Sequence, residues 1–279
     1  MTTTTAGVPA LELNNGVRIP QFGFGVAGIP PEETTRAVRT ALGLGYRHID
    51  TAQLYRNEAA VGAAIAESGL AREDVFVTTK LANDAHGHDN AITALEGSLR
   101  RFGFDHVDLY LIHWPLPARD NYVRTWLGFD DLLRAGKTRA IGVANFQPAH
   151  LDRLAAETPA VPSVNQIELH PALQQAPLRE YHRAHGIATE AWSPLARAEV
   201  LGDSVLAGLA EKHGRTAAQV VLRWHVQLGN IVFPKSVSPR RMRENLDVFG
   251  FELDEGDMAA IGRLDAGRRT GPDPDTFTA

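Results

Sequence analysis

The strongest constraint on this chain is a regular alternation. Short apolar runs occur at residues 22–25, 46–50, 75–80, 107–113, 138–144, 163–167, 187–192 and 231–233. Between and after them lie stretches of helical spacing at 32–44, 58–67, 90–102, 122–133, 148–156, 177–184, 204–212, 216–228, 240–249 and 254–264. A strand followed by a crossover helix returns the chain to the same end of a sheet, so strict alternation predicts parallel strands. Eight such units without a linker predict an α/β fold of the (β/α)8 barrel type, one domain over residues 1–279. One element falls outside the rhythm. Asn14-Asn15-Gly16 sits between Leu11-Glu12-Leu13 and Val17-Arg18-Ile19, a strong hairpin signal. It is expected to plug the N-terminal end of the barrel. Residues 1–8 read as a frayed, disordered polar tail, and the residues after Leu264 as a short polar tail.

Composition removes several classes of function. With 28 Lys and Arg against 33 Asp and Glu, no positive field draws the chain to nucleic acid or an anionic membrane. No run approaches the ~20 apolar residues of a membrane helix. The start has neither a basic nor an apolar segment of a signal peptide. There is no cysteine, hence no thiol nucleophile and no cysteine-based zinc site. The expectation is a cytoplasmic monomer whose partner is a small molecule. His86 with His88, and His182 with His185, lack a matching carboxylate set, so no metal site is expected.

Three polar residues end consecutive apolar runs: Asp50, Lys80 and His113. Tyr55 lies just beyond the first. In a barrel the C-terminal strand ends share the face that carries active sites. Singly, each has a plain structural reading as a cap, a packed ring, a surface charge or a satisfied buried histidine. Together they are harder to dismiss, since the chain holds only four lysines. Tyrosine has an ordinary pKa of ~10. An ammonium ~4 Å away contributes ~4 kcal/mol at an effective dielectric of ~20, and desolvation takes back only part of that. Tyr55 is therefore expected to be acidified toward neutrality and to act as general acid. Asp50 holds Lys80, and His113 donates a hydrogen bond to a substrate oxygen. A proton donor beside an orienting donor suits carbonyl reduction. No side chain supplies hydride, so a nicotinamide cofactor is required.

A competing motif is present. Gly23-Phe24-Gly25-Val26-Ala27-Gly28 matches the dinucleotide fingerprint, with Asp50 at the distance of a ribose acid. In that motif the glycines open the helix. Here Pro30-Pro31 intervene, so these glycines are expected to form a tight rim instead. Tyr-x-x-x-Lys, the mark of another tyrosine-dependent reductase class, is absent.

Asp50-Thr51-Ala52-x-x-Tyr55-x-Asn57-Glu58, Lys80, His113-Trp114-Pro115, residues 141–146, residues 164–171 and Pro234-Lys235-Ser236-Val237 resemble, in order, the signatures of the aldo-keto reductase family. The resemblance covers nearly the whole chain. It implies a tetrad of Asp50, Tyr55, Lys80 and His113, with Tyr55 the acid, and NADPH extended across the C-terminal barrel face. It also implies that Asn145 and Gln166 hold the carboxamide, that Trp192 stacks on the nicotinamide, and that Ser193 and Leu195 border the pyrophosphate. Glu244 and Asn245 would hold the adenine.

The far end of the cofactor has its own argument. Lys235 and Ser236 follow the eighth strand, Ser238-Pro239 reads as a helix start, and Arg241 adds charge. Two cations with a hydroxyl, Val237 beside them, suit a 2′-phosphate and hence NADPH.

The chain departs from the family at several places. Ala144 replaces a usual serine, a loss of ~1 kcal/mol of hydrogen bonding. Ala196 replaces a frequent glycine. Ala27 and Ala82 stand where large aromatics are common, while Trp114 remains, so a widened substrate pocket is expected. The short tail with Arg268 and Arg269, together with Trp192, most resembles the prokaryotic 2,5-diketo-D-gluconate reductase-like branch, which implies keto sugars or keto acids as substrates. The rival from another class is an NADPH-binding sensor on the same barrel with little turnover.

Overall fold

The computed structural model describes residues 7–278. The chain opens with β1 (Ala10–Glu12) and β2 (Arg18–Pro20), an antiparallel hairpin in which Leu11 faces Ile19. Then come β3 (Phe24–Gly25), α1 (Pro31–Gly43), β4 (His48–Asp50), α2 (Glu58–Ala66), β5 (Phe76–Leu81) and α3 (His88–Phe102). They are followed by β6 (Val107–Ile112), α4 (Tyr122–Arg134), β7 (Thr138–Ala144), α5 (Pro148–Glu157), β8 (Val164–Glu168) and α6 (Ala176–Ala184). The last elements are β9 (Ala188–Trp192), α7 (Ser204–His213), α8 (Ala217–Gln227), β10 (Ile231–Val232), α9 (Pro239–Leu246) and α10 (Glu255–Gly262).

The eight strands from β3 to β10 are parallel, each paired with its neighbour in sequence. A parallel bridge between Phe22 and Val232 joins the two edges. There Gly23 N–H donates to Val232 O at 2.7 Å and Val232 N–H to Gln21 O at 3.0 Å. The expected (β/α)8 barrel is the observed one. Two boundaries differ from the sequence reading. The first strand has a ladder over only Phe24–Gly25, with Phe22 in the bridge. The helix expected to reach residue 249 stops at Leu246, where the Asp247 carbonyl accepts from Gln219 Nε2 at 2.9 Å.

The hairpin occupies the predicted place. Leu13 and Ile19 pack with Phe76, Leu109, Ala140, Val164 and Ile231, inward residues of the N-terminal strand halves. Asn14 Nδ2 reaches Pro162 O at 3.1 Å and Asn15 Nδ2 reaches Arg139 O at 3.0 Å. Burying two such aliphatic side chains stabilises the fold by roughly 1.5–3 kcal/mol each. A second, larger core lies between strands and helices, where Tyr110 stacks on Phe129 at 4.3 Å and Trp126 is fully buried.

The glycines of the competing motif serve the barrel. A Cβ on Gly23 would lie 2.9 Å from the His48 ring, and one on Gly25 would lie 2.6 Å from Phe233 O. Helix α1 starts only at Pro31, behind Pro30. Of the expected N-terminal tail, residues 1–6 lie outside the described residues, whereas Val8 is buried in the outer core.

The other end corrects the reading more strongly. After α10 the chain runs back over the barrel mouth as a strap. Arg268 N–H donates to Ala172 O at 3.0 Å, Thr270 and Gly271 bind the Glu168 carboxylate, and Phe277 packs on Trp114 at 4.4 Å. A Gly/Pro/Asp-rich segment carries no periodicity, and every one of these partners is distant in sequence.

Candidate active site

Three strand ends meet at the mouth. Lys80, on β5 and fully buried, donates to Asp50 Oδ1 at 2.7 Å, Asp50 Oδ2 at 2.8 Å and Thr51 O at 2.9 Å. Beyond Asp50 and Thr51, the ammonium also hydrogen-bonds Tyr55. Tyr55 sits on a single 3-10 turn, Gln53–Tyr55, closed by Arg56 in the left-handed region at φ 56°. Gln53 locks that turn: its Nε2 donates to Ala94 O and Ser98 Oγ at 2.9 Å each, and its Oε1 accepts from Ala82 N–H at 2.8 Å. Asn57 ties the next residues down, accepting from Thr51 Oγ1 at 2.7 Å and donating to Val26 O at 3.1 Å. The Lys80 ammonium consequently lies 5.3 Å from the centre of the Tyr55 ring. The His113 ring stands edge-on to Tyr55, with centroids 5.9 Å apart and planes at 81°.

Protonation follows from burial. Burial acts to lower the Lys80 pKa, but Asp50 outweighs it, and the ammonium is raised above its ordinary value. Tyr55 also shifts upward. Burial raises it, Lys80 pulls it down without winning, and Asp50 adds to the rise. This reverses the acidified tyrosine expected from the sequence: desolvation outweighs the ammonium. His113 is lowered to about 3 by burial and by Lys80, so it is neutral at pH 7. Its buried Nδ1 has no partner. An unmet acceptor costs less than an unmet donor, which favours Nδ1 bare and Nε2 carrying the hydrogen.

A cavity of about 1050 Å³ opens over this cluster. One end is lined by Asp50, Tyr55, His113 and Trp114, the other by Lys235, Arg241 and Asn245. Its size suits a large extended ligand plus a small one. The residues present fit a pyridine dinucleotide phosphate. Lys235, Arg241 and Arg197 are exposed cations with no ion pair among the described residues.

A family profile decides the kinship: the description "Aldo/keto reductase family" matches residues 20–266. This chain belongs to the aldo/keto reductase family. An aldo-keto reductase of Mycolicibacterium smegmatis is 55% identical over 269 residues, covering 96% of this chain and 98% of the relative. Methylglyoxal reductase DkgA of Escherichia coli K12 is 47% identical, covering 98% of this chain and 99% of its own. Among solved structures, a variant of Gox0644 in complex with NADPH has a TM-score of 0.93 at 48% identity, covering 97% of this chain and 98% of that one.

In this aldo/keto reductase the expected cofactor residues line one cavity: Asn145, Gln166, Trp192, Ser193 and Leu195 along one stretch, and Lys235, Ser236, Val237, Arg241, Glu244 and Asn245 along another. Several are already engaged. Asn145, left-handed at φ 65°, donates to His113 O at 2.9 Å and accepts from Trp192 Nε1 at 2.7 Å, so one N–H and one lone pair remain. The start of α9 offers fewer amides than its sequence suggests. Ser238 N–H is taken by Ser236 Oγ and Pro239 has none, while Arg241 N–H reaches Ser238 Oγ only at 3.5 Å. Glu244 pairs with Arg240 at 2.9 Å. Ala196 sits at φ 47°, a conformation that suits the glycine it replaces.

Of the substrate residues, Trp114 and Ala27 line the cavity and Ala82 does not. Phe277 does not line the cavity either, but it packs against Trp114 from the strap at 4.4 Å and backs that wall, a contact that the sequence reading missed. Arg197, Thr216 and Ala217 were missed too, because they lie on helical segments whose only signal is a place in space. Arg268 and Arg269 are not among the lining residues.

The buried histidines set an acid limit to stability. His48 is lowered to about 4, His182 to about 3 and His225 to about 3, each mainly by burial. His182 is held by Asn165 and Thr189 at 2.9 Å each, and His225 by Pro194 O at 3.2 Å. The unfolded chain titrates these groups at about 6.5, so below that pH it binds more protons than the folded one. Their contribution is fully present above pH ~6.5 and falls as pH drops toward the folded values. Urea midpoints are expected to be flat from pH 8 to 7 and to fall by a few kcal/mol equivalent between pH ~6.5 and ~5. A flat midpoint across the lower window would contradict buried neutral imidazoles.

Proposed function

We propose that Tyr55 donates the proton in the NADPH-dependent reduction of an aldehyde or ketone that this enzyme carries out. The observation that carries this reading is the Lys80 ammonium, fixed by both Asp50 oxygens, 5.3 Å from the Tyr55 ring at the floor of the cavity. When bound, NADPH supplies the two reducing electrons that no side chain can. Asn145 and Gln166 hold its carboxamide and Trp192 covers the ring. Ser193 and Leu195 border the pyrophosphate. Lys235, Ser236, Val237 and Arg241 take the 2′-phosphate, with Glu244 and Asn245 at the adenine.

The chain's own groups do the rest. His113, neutral, donates Nε2–H to the substrate oxygen and places it beside the Tyr55 hydroxyl. Tyr55 delivers its proton as charge develops on that oxygen, and the Lys80 ammonium stabilises the phenolate left behind. Trp114, backed by Phe277, and Ala27 wall the substrate end and exclude water.

The small open wall at Ala27 suits compact carbonyls such as dicarbonyls, keto sugars or keto acids, and the Escherichia coli relative named for methylglyoxal points the same way. We also propose a cytoplasmic monomer. NADPH oxidation measured against a panel of such carbonyls tests the reading. Tight NADPH binding with no turnover of any member would leave a sensor instead.

Arg241→Ala tests the phosphate end. Losing a charge-assisted hydrogen bond worth ~1.5–3 kcal/mol should raise the KM for NADPH roughly 10- to 100-fold. The KM for NADH should move by less than about threefold. Equal losses for both would count against a 2′-phosphate contact.

A further inference from the structure

Behind Gln166, inside the barrel, lies a carboxyl group with no part in the scheme above. Glu190 on β9 is the register neighbour of Gln166 on β8 and of Ile231 on β10, and it is fully buried. Gln166 Nε2 donates to Glu190 Oε2 at 2.8 Å and to Asp50 Oδ2 at 2.9 Å. A primary amide has two N–H groups, so both are spent inward. What Gln166 offers the cavity is therefore its carbonyl, an acceptor for an amide N–H. The other oxygen, Glu190 Oε1, is buried without a partner. A buried polar group left unmet costs ~1–3 kcal/mol, and an apolar side chain at this place would avoid that cost.

We propose that Glu190 is a positioning residue for the reduction: through Gln166 it fixes the amide that faces the cofactor and braces Asp50 against Lys80. This rests on the reading that Gln166 meets the carboxamide. Without Glu190, Gln166 keeps one inward bond and its amide is free to tilt about that bond.

The anchor is also ionisable. Burial and the neighbouring Asp50 push the Glu190 carboxyl up to about 8, so it is neutral at pH 7. The charged groups facing it are Asp50 from β4 and Lys80 from β5. Gln166 on β8 is neutral, and β3 and β10 carry no titratable side chain. Tyr55 and His113 lie above, at the cavity floor. Ionisation of Glu190 would place a second negative charge beside the Asp50–Lys80 pair. It would make the Tyr55 phenolate, the base needed for alcohol oxidation, harder to form.

The experiment uses Glu190→Leu, Glu190→Gln and Gln166→Leu in the full chain, with folding checked by circular dichroism. Glu190→Leu should raise the KM for NADPH about five- to tenfold with a smaller effect on kcat. Glu190→Gln, whose amide oxygen can accept the same bond, should restore the KM. It should also move the pH profile of alcohol oxidation with NADP+ to lower pH by roughly half to one unit, because it cannot ionise. Should Glu190→Leu fail to fold, the pH profile of Glu190→Gln decides, and a profile identical to wild type overturns the proposal. So does a folded Glu190→Leu with wild-type KM, provided Gln166→Leu raises it. An unchanged KM in Gln166→Leu would instead refute the carboxamide contact itself, and the role of Glu190 with it.

Discussion

Tyr55→Phe is expected to lower kcat for carbonyl reduction by about 10²- to 10⁴-fold, the range for removing a general acid. The KM for NADPH should stay within a factor of about three, because only a hydroxyl is lost and no cofactor contact goes with it. The ring remains half-buried, edge-on to His113 at 5.9 Å and 5.3 Å from the Lys80 ammonium, so its packing survives. The protonation state sharpens the expectation. Burial holds the phenol above its ordinary value, so the acid is fully loaded at neutral pH. Wild-type reduction should therefore not lose its proton donor as the pH rises toward 9. Lys80 exerts its effect once the proton has left: it lowers the energy of the phenolate, not the pKa of the resting enzyme below neutrality. Steady-state rates with a good panel substrate measure this. Turnover of the Phe variant within tenfold of wild type would remove Tyr55 from the reaction.

Lys80→Met has the next largest effect, and it falls on folding as well as activity. Methionine matches the length of the stem but leaves the Asp50 carboxylate buried, with Gln166 Nε2 as its one remaining side-chain donor among the described residues. Breaking one partner out of a buried ion pair typically costs ~3–5 kcal/mol. The loss should shrink in the double variant Asp50→Asn/Lys80→Met, which removes the stranded charge, and the difference is the coupling between the two sites. Urea unfolding of the four proteins at pH 7 supplies the cycle. A single-variant loss under about 1 kcal/mol, the size of a surface pair, would mean that water reaches this carboxylate.

Range along the chain decides how much of this fold and site the amino-acid order conveys. Strands β4, β5 and β6 are legible because apolar runs are local, and the polar residue closing each run is read at the same time. The Asn14-Asn15-Gly16 turn is legible for the same reason, and its docking under the barrel follows because no other face is left for it. The direction of the Tyr55 shift was not legible. Charge can be counted along a chain, but the depth at which a phenol sits depends on Ala82, Ala94 and Ser98 meeting Gln53 across the fold. The strap was hidden in the same way. Glu168 gathers Thr270 and Gly271 from about a hundred positions away, and nothing in a Gly-Pro-Asp segment announces that it will be collected. Phe277 lies at the end of that strap and packs behind Trp114, a contact that no local pattern announces.

The closure of the barrel has a mechanical side. The first and last strands are two residues each, and a single bridge, Phe22 to Val232, fastens one to the other. Every other junction is a longer ladder or a direct neighbour in the chain. This seam is where a barrel of staves would open first. The cofactor cavity lies across it, with Gly25 from one side and Phe233 and Lys235 from the other. A dinucleotide seated there would act as a hoop, joining the first unit to the eighth. Its binding energy adds to the resistance of the joint by mass action. On the proposed cofactor placement, the joint held by a single bridge is thus the one that the reducing agent would hold shut.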